Sequence, residues 1–264
     1  MKRLKAFFVR PFLDAFHGLD HCLGGGMPAL LKVAVGLAAG WWIYVPLHEL
    51  LHALACLAAG GTVQELEVSP LYGGGLLAAW IPWVTAGGEY AGRLSGFDTG
   101  GSDLVYLATD FGPFLLTLLP GVWWLRRAAR AASPLAFGAS VPFALAPFTS
   151  ITGDAYEIGS ILTTSMPPWS EASRSALLRG DDVLLKLEEL SAAGAGGALW
   201  SGLVLAVLVG LLWAFATYAL GGGIARLLGQ EPLEPVVVAS AAPSSEAAPS
   251  EGTPSAPAAE ASRD

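Results

Sequence analysis

The chain has 264 residues, of which 53% are hydrophobic and only 14% are charged, and its formal net charge is −8. Soluble domains carry about 25% charged residues, so this composition predicts a multi-pass membrane protein embedded in a lipid bilayer. No cluster of basic residues is typical of a nucleic-acid surface, and we therefore expect no nucleic-acid partner.

The first 26 residues predict a basic amphipathic segment that lies on the membrane surface. The start, MKRLKAFFVRPF, is basic but lacks the long apolar core and the small-residue cleavage site of a signal peptide. Phenylalanines supply an apolar side to this segment. They are Phe7, Phe8, Phe12 and Phe16.

Residues 27–230 predict the membrane-embedded domain. Four apolar segments in it approach the ~20 residues that a spanning helix needs. They cover residues 27–60, 104–125, 134–152 and 198–220. The predicted fold is therefore an all-α membrane protein, a polytopic bundle of about four spanning helices.

Two further segments of this domain are too short or too polar to span. Residues 73–88 are apolar, and their glycines and Pro82 predict a re-entrant or hairpin element. Residues 171–190 predict a short amphipathic helix in water or at the membrane interface. Residues 231–264 are rich in Pro, Ala, Ser and Glu, and they predict a disordered tail.

The distribution of Lys and Arg predicts that both termini lie in the cytoplasm, because basic residues accumulate on the inner side of a membrane protein. Basic residues are more frequent in the N-terminal segment and after the second and fourth apolar segments than in the opposite loops. The expected location is an integral, multi-pass position in a bacterial inner membrane.

One motif inside the first apolar segment predicts chemistry. His48, Glu49 and His52 form the pattern His-Glu-x-x-His. Side chains at positions i and i+4 of a helix lie on one face, about 6 Å apart, so both imidazoles can bind one zinc ion. Glu49 lies beside this pair and can move a proton from a zinc-bound water to a leaving amine. Ionisable residues in apolar spans are rare and usually functional.

Two histidines leave the zinc ion short of a protein ligand, and three acidic residues are candidates. Asp154 ends the third apolar segment, Glu157 follows one turn later, and Asp110 lies in the second segment. The predicted topology brings Asp154 and the histidines towards the same membrane face, so Asp154 is the preferred ligand. Asp110 and Glu157 are expected in the surrounding cavity, and either remains an alternative ligand. Cys56 lies about 12 Å along the helix from His48 and is expected to be packed instead.

These motifs resemble those of the site-2 protease family of intramembrane zinc metalloproteases. That family carries His-Glu-x-x-His on one spanning helix and a Gly-Pro motif in the next helix, matched here by Gly112-Pro113. An Asp beside a Gly on a later helix is its third zinc ligand, matched by Gly153-Asp154. The stretch SPLYGGG, residues 69–75, is similar to the family's loop after the motif helix. The resemblance covers about residues 30–160.

The resemblance implies a zinc-dependent endopeptidase that acts in regulated intramembrane proteolysis and cleaves membrane-anchored protein substrates. Its implied metal ligands are His48, His52 and Asp154, and Glu49 is its implied catalytic residue. Two alternatives from another class remain open: a non-catalytic zinc-binding scaffold, and a transporter-like bundle that binds ions through its buried His and acidic groups. The apolar segments disfavour a soluble zinc protease.

Overall fold

The structure is a computed structural model that describes residues 2–88 and 90–236. Most of these residues are helical, and a small sheet follows the second helix. The first elements are α1 (Lys2–Cys22), α2 (Met27–Ala58), β1 (Thr62–Val68), α3 (Gly74–Ala78), β2 (Val84–Ala86) and β3 (Gly92–Asp98). The remaining helices are α4 (Asp103–Phe111), α5 (Val122–Arg130), α6 (Pro134–Ala144), α7 (Ala146–Thr149), α8 (Asp154–Thr164), α9 (Ala172–Leu178), α10 (Val183–Ala192) and α11 (Gly197–Leu227).

Three helical segments are long and apolar enough to cross a membrane. They are Met27–Ala58 and Gly197–Leu227, of 32 and 31 residues, and the kinked segment Asp103–Arg130, of 28 residues. In the kinked segment, α4 and α5 are joined through short helical turns, and Leu119 leaves helical geometry. Each exceeds the ~20 residues that the hydrocarbon core requires. These three segments support the prediction of a multi-pass membrane protein, while the bacterial inner membrane stays a prediction.

The segment at residues 134–152 is not the fourth spanning helix that its composition predicted. It is divided into α6, of 11 residues, and α7, of four residues. Pro142 and Pro147 lack backbone N–H groups and weaken helix continuity, and Leu145 between the two helices leaves helical geometry. A helix of 11 residues is about 16 Å long, roughly half the thickness of the bilayer core.

The all-α prediction is wrong for residues 62–98, which contain a three-stranded sheet as well as α3. Its strand order is β2-β1-β3, with β1 parallel to β2 and antiparallel to β3. In β1, Leu66 and Val68 are fully buried and alternate with more exposed residues, as expected of a half-buried strand. Both pack on Ala53 of α2. The hairpin predicted at residues 73–88 is instead α3, a turn and β2.

Small residues bring the helices close together, as is common in membrane bundles. A side chain on Gly40 of α2 would collide with the backbone of α6. A side chain on Gly210 of α11 would likewise collide with the carbonyl group of Ala155, next to Asp154 in α8. These close contacts fix α6 against α2, and α8 against α11.

A buried ion pair joins the N-terminal helix to the bundle. Arg126 of α5 donates to the carboxylate of Asp14 in α1 at 2.8 Å, and both side chains are almost completely buried. Tyr218 of α11 also donates to Asp14, and so does the backbone N–H of Leu233. Residues 231–236 are thereby attached to α1. Residues 237–264, most of the predicted disordered tail, lie outside the described residues.

Candidate metal centre

Two helices bring three potential metal ligands together. His48 and His52 lie one turn apart in α2, and Asp154 is the first residue of α8. The Nε2 atoms of the two histidines are 3.2 Å apart. Nε2 of His48 lies 3.3 Å from Oδ2 of Asp154, and Nε2 of His52 lies 3.5 Å from Oδ1. This His-His-Asp group could hold a metal ion.

The three separations fit a tetrahedral ion. With metal–ligand bonds of about 2.0–2.1 Å, two ligands of a tetrahedral zinc ion lie about 3.3 Å apart. The measured separations, 3.2, 3.3 and 3.5 Å, surround that value. Three protein ligands leave the fourth position for water or substrate, which is the arrangement of catalytic zinc sites.

Both imidazoles are held from their other ring nitrogen. Nδ1 of His52 lies 2.9 Å from the carbonyl oxygen of Thr109, which can only accept, so Nδ1 carries the proton. Nδ1 of His48 lies 2.7 Å from the hydroxyl of Tyr44, which is 3% exposed. Metal-binding histidines usually donate their second N–H to an oxygen in this way. Nε2 of each ring is thus left free to face Asp154.

Asp154 is held in place although its carboxylate lacks a full set of partners. Its side chain is 15% exposed, and its buried Oδ2 has no hydrogen-bond partner among the described residues. Buried carboxylate oxygens normally have a hydrogen-bond partner, and a metal ion would supply a partner for this one.

Backbone contacts on either side of Asp154 hold it in place. Gly210 packs under Ala155, and the N–H of Val183 donates to the carbonyl of Thr152. These contacts set the position of Asp154.

Glu49 lies in the wall of the same cavity as the three potential ligands and is only partly buried. Strand β3 passes directly beside it. A Cβ atom on Gly92 of β3 would lie 2.8 Å from Cδ of Glu49. The absence of a side chain at Gly92 therefore leaves the space that the Glu49 carboxyl group occupies.

The cavity has a volume of about 460 Å³. Its walls come from α2, β3, α4, α8 and the loop between α9 and α10. Asp110 and Glu157 also line it, but neither belongs to the three-residue group that could hold a metal. Both acids therefore line the cavity, as the sequence analysis predicted.

Two arginine contacts hold the loop between α9 and α10 over the cavity. Arg93 of β3 lies 3.0 Å from Asp181 in that loop. Arg179 makes a two-pronged contact with Asp103 at 2.6 and 2.8 Å. Asp103 is the first residue of the segment Asp103–Arg130 and contacts the loop that lines the cavity. The last turns of the segment contain Arg126, which pairs with Asp14. The cavity and this ion pair therefore lie at opposite ends of the segment.

Several residues of the site were not identified from the sequence. Tyr44 is one turn before His48 in α2, so its position carried a usable signal. Thr109 acts through its backbone carbonyl, which no side-chain pattern reveals. Gly92 matters only because β3 folds back onto α2. Cys56, by contrast, is fully buried and lies outside the ligand group, as its spacing indicated.

No family model, no curated protein and no solved structure matches the sequence. The resemblance to the site-2 protease family therefore depends on the sequence motifs and stays a prediction.

Proposed function

We propose that this protein is a membrane-embedded zinc metalloprotease that hydrolyses peptide bonds of membrane-anchored proteins. The tetrahedral spacing of two imidazole nitrogens and one carboxylate carries the proposal. Two histidines and one carboxylate, with a fourth position open, form the ligand set of several zinc peptidases. This donor set favours zinc over the harder cations magnesium and calcium, which prefer all-oxygen ligands.

The proposed chemistry divides between the metal and Glu49. A bound zinc ion would polarise the substrate carbonyl group and lower the pKa of a coordinated water. Glu49, beside the two histidines in the cavity wall, takes the proton of the attacking water and passes it to the leaving amine. Tyr44 and Thr109 keep the imidazoles in the orientation that ligation requires.

Substrate access depends on the cavity and the sheet beside it. Peptide carbonyls in a helix are engaged in backbone hydrogen bonds, so a spanning substrate must unwind locally before attack. Strand β3 is an edge strand that borders the cavity. Such an edge has unpaired backbone groups that can bind an extended peptide.

The test uses the purified full-length protein in liposomes with a membrane-anchored reporter whose single span contains helix-weakening glycines. We expect one zinc ion per chain by elemental analysis. We also expect cleavage that a chelator abolishes and added zinc restores. Glu49→Gln should keep the zinc ion and lower the cleavage rate by about 10²–10⁴-fold, the usual contribution of a general acid–base group.

Two outcomes would contradict the proposal. Full activity of Glu49→Gln would remove the assigned proton carrier. One zinc ion per chain without cleavage of any anchored reporter would favour the non-catalytic zinc-binding scaffold instead. Glu188→Gln is the matched control, because Glu188 is exposed on α10 and does not line the cavity.

A further inference from the structure

Two buried acidic side chains line the cavity, and neither forms an ion pair within the described part of the chain. Asp110 is 2% exposed, and its Oδ2 has no hydrogen-bond partner among the described residues. Glu157 is 8% exposed and accepts a hydrogen bond from the hydroxyl of Tyr106. That contact leaves the second carboxylate oxygen of Glu157 available to another donor.

The basic residues around the cavity are already engaged elsewhere. Arg93, in the wall, pairs with Asp181, and Arg179, next to the wall residue Gly180, pairs with Asp103. Within residues 4–88 and 90–236, no ion pair involves either of the two buried acids. A buried carboxylate with neither a cation nor a full set of donors is unfavourable, so a positively charged hydrogen-bond donor that enters this part of the cavity is stabilising.

The two acids lie close to the metal centre along the chain. Asp110 directly follows Thr109, whose carbonyl oxygen holds His52. Glu157 follows Asp154 by three residues on α8, so the two side chains share a helix face and are separated by about 4.5 Å along the helix axis. An extended peptide advances about 3.3 Å per residue. A substrate side chain that reaches the acids therefore belongs to a residue within a few positions of the scissile bond.

We propose that Asp110 and Glu157 form a binding site for the basic side chain of a substrate Lys or Arg near the scissile bond. The inference builds on the proposed protease function and names the substrate class of that site. The ammonium or guanidinium group donates hydrogen bonds to the carboxylates of Asp110 and Glu157, which both line the cavity. The ligand supplies the positive charge that this part of the chain lacks.

Quenched fluorescent peptides test the proposal with the full-length, zinc-loaded protein. A Gly/Ala/Leu host peptide carries Lys, Gln or Glu at one position, moved across three residues on either side of the cleaved bond. At one position, kcat/KM for Lys should exceed that for Gln by about tenfold or more, the usual effect of a charged hydrogen bond. Glu should be the poorest of the three.

Variants of the acids assign this preference to the site. Asp110→Asn and Glu157→Gln should each bring the Lys-to-Gln ratio of kcat/KM towards one, whereas the control Glu188→Gln should keep the wild-type ratio. Zinc content and circular dichroism establish that each variant is folded, and either acid variant is sufficient if the other does not fold. A ratio near one in the wild type, or an unchanged ratio in both acid variants, overturns the proposal.

A binding measurement separates this proposal from the protease function. Fluorescence anisotropy with the zinc-loaded Glu49→Gln protein should show about tenfold tighter binding of the Lys peptide than of the Gln peptide. A Lys preference in binding without any cleavage would refute the protease function alone. Cleavage without a Lys preference would refute the basic-side-chain site alone.

An inorganic cation is the other possible source of positive charge at the two acids, and titration with Na⁺, Mg²⁺ and Ca²⁺ tests it. A cation that binds the wild type but not Asp110→Asn would also overturn the proposal.

Discussion

The hydroxyl oxygen of Tyr44 lies 2.7 Å from Nδ1 of His48, the ring nitrogen that does not face Asp154. Both residues are on α2, one helical turn apart, and both are buried. The contact holds the imidazole so that Nε2 faces Nε2 of His52 and the Asp154 carboxylate. The candidate metal centre therefore includes a positioning residue that belongs to the same helix as two of its potential ligands.

Tyr44→Phe should weaken zinc binding by about 10–100-fold, the usual effect of losing a group that orients a metal ligand. The ring would still fill its buried position, so the fold should be kept. Competition with a chromogenic chelator measures the affinity. Tyr72→Phe, which changes a half-buried tyrosine outside the cavity, is the control. Equal affinity in all three proteins would mean that the Tyr44 hydroxyl does not orient His48.

Substitution of the acids should identify the third ligand. Asp154→Ala removes the carboxylate that lies 3.3 and 3.5 Å from the two histidines, and the purified variant should lose its zinc. Asp110→Asn and Glu157→Gln should each keep one zinc ion per chain, because neither acid belongs to the ligand group. Elemental analysis of the folded variants decides between the three acids. Zinc retained in Asp154→Ala but lost in one of the others would reassign the ligand.

Gly92→Ala should lower kcat and leave zinc binding unchanged. The new methyl group would occupy the space of the Glu49 side chain and displace its carboxylate. A displacement of about 1 Å in a reacting group can cost about 10²-fold in rate. Reporter cleavage and zinc content are the two measurements. Gly87→Ala, at a glycine with open space around it, should match the wild type. A wild-type rate for Gly92→Ala would show that β3 does not constrain Glu49.

Removal of one partner from the Asp14–Arg126 pair should destabilise the whole bundle. Arg126→Met leaves the Asp14 carboxylate buried and unpaired, which costs about 3–5 kcal/mol in other proteins. The double variant Arg126→Met, Asp14→Leu should recover part of this loss. Arg174→Met breaks a more exposed pair with Glu171 and should change stability by about 1 kcal/mol or less.

Unfolding by denaturant in detergent measures these free energies. Zinc content should stay at one ion per chain in every folded variant, because the ion pair and the cavity lie at opposite ends of the segment Asp103–Arg130. Equal stability of Arg126→Met and the wild type would show that the pair does not hold α1 on the bundle.

Two long helices could be predicted from composition, whereas the broken segment and the sheet could not. A run of apolar residues such as α2 or α11 can satisfy its backbone in a bilayer only by forming a helix. Residues 134–152 have a similar composition, but Pro142 and Pro147 divide them, and hydropathy does not register that effect. Strand β1 has an alternating pattern over only seven residues, which is a weak signal beside long apolar segments.

The sequence by itself determined that the chain belongs in a membrane and that His48 and His52 share a helix face, because both properties depend on neighbouring residues alone. Only the tertiary structure decided which acid approaches the histidines. Asp154 is about one hundred residues away, and its position depends on how closely α8 can pack on α11 at Gly210. The roles of the Thr109 carbonyl and of Gly92 have the same origin, because they arise where distant segments meet.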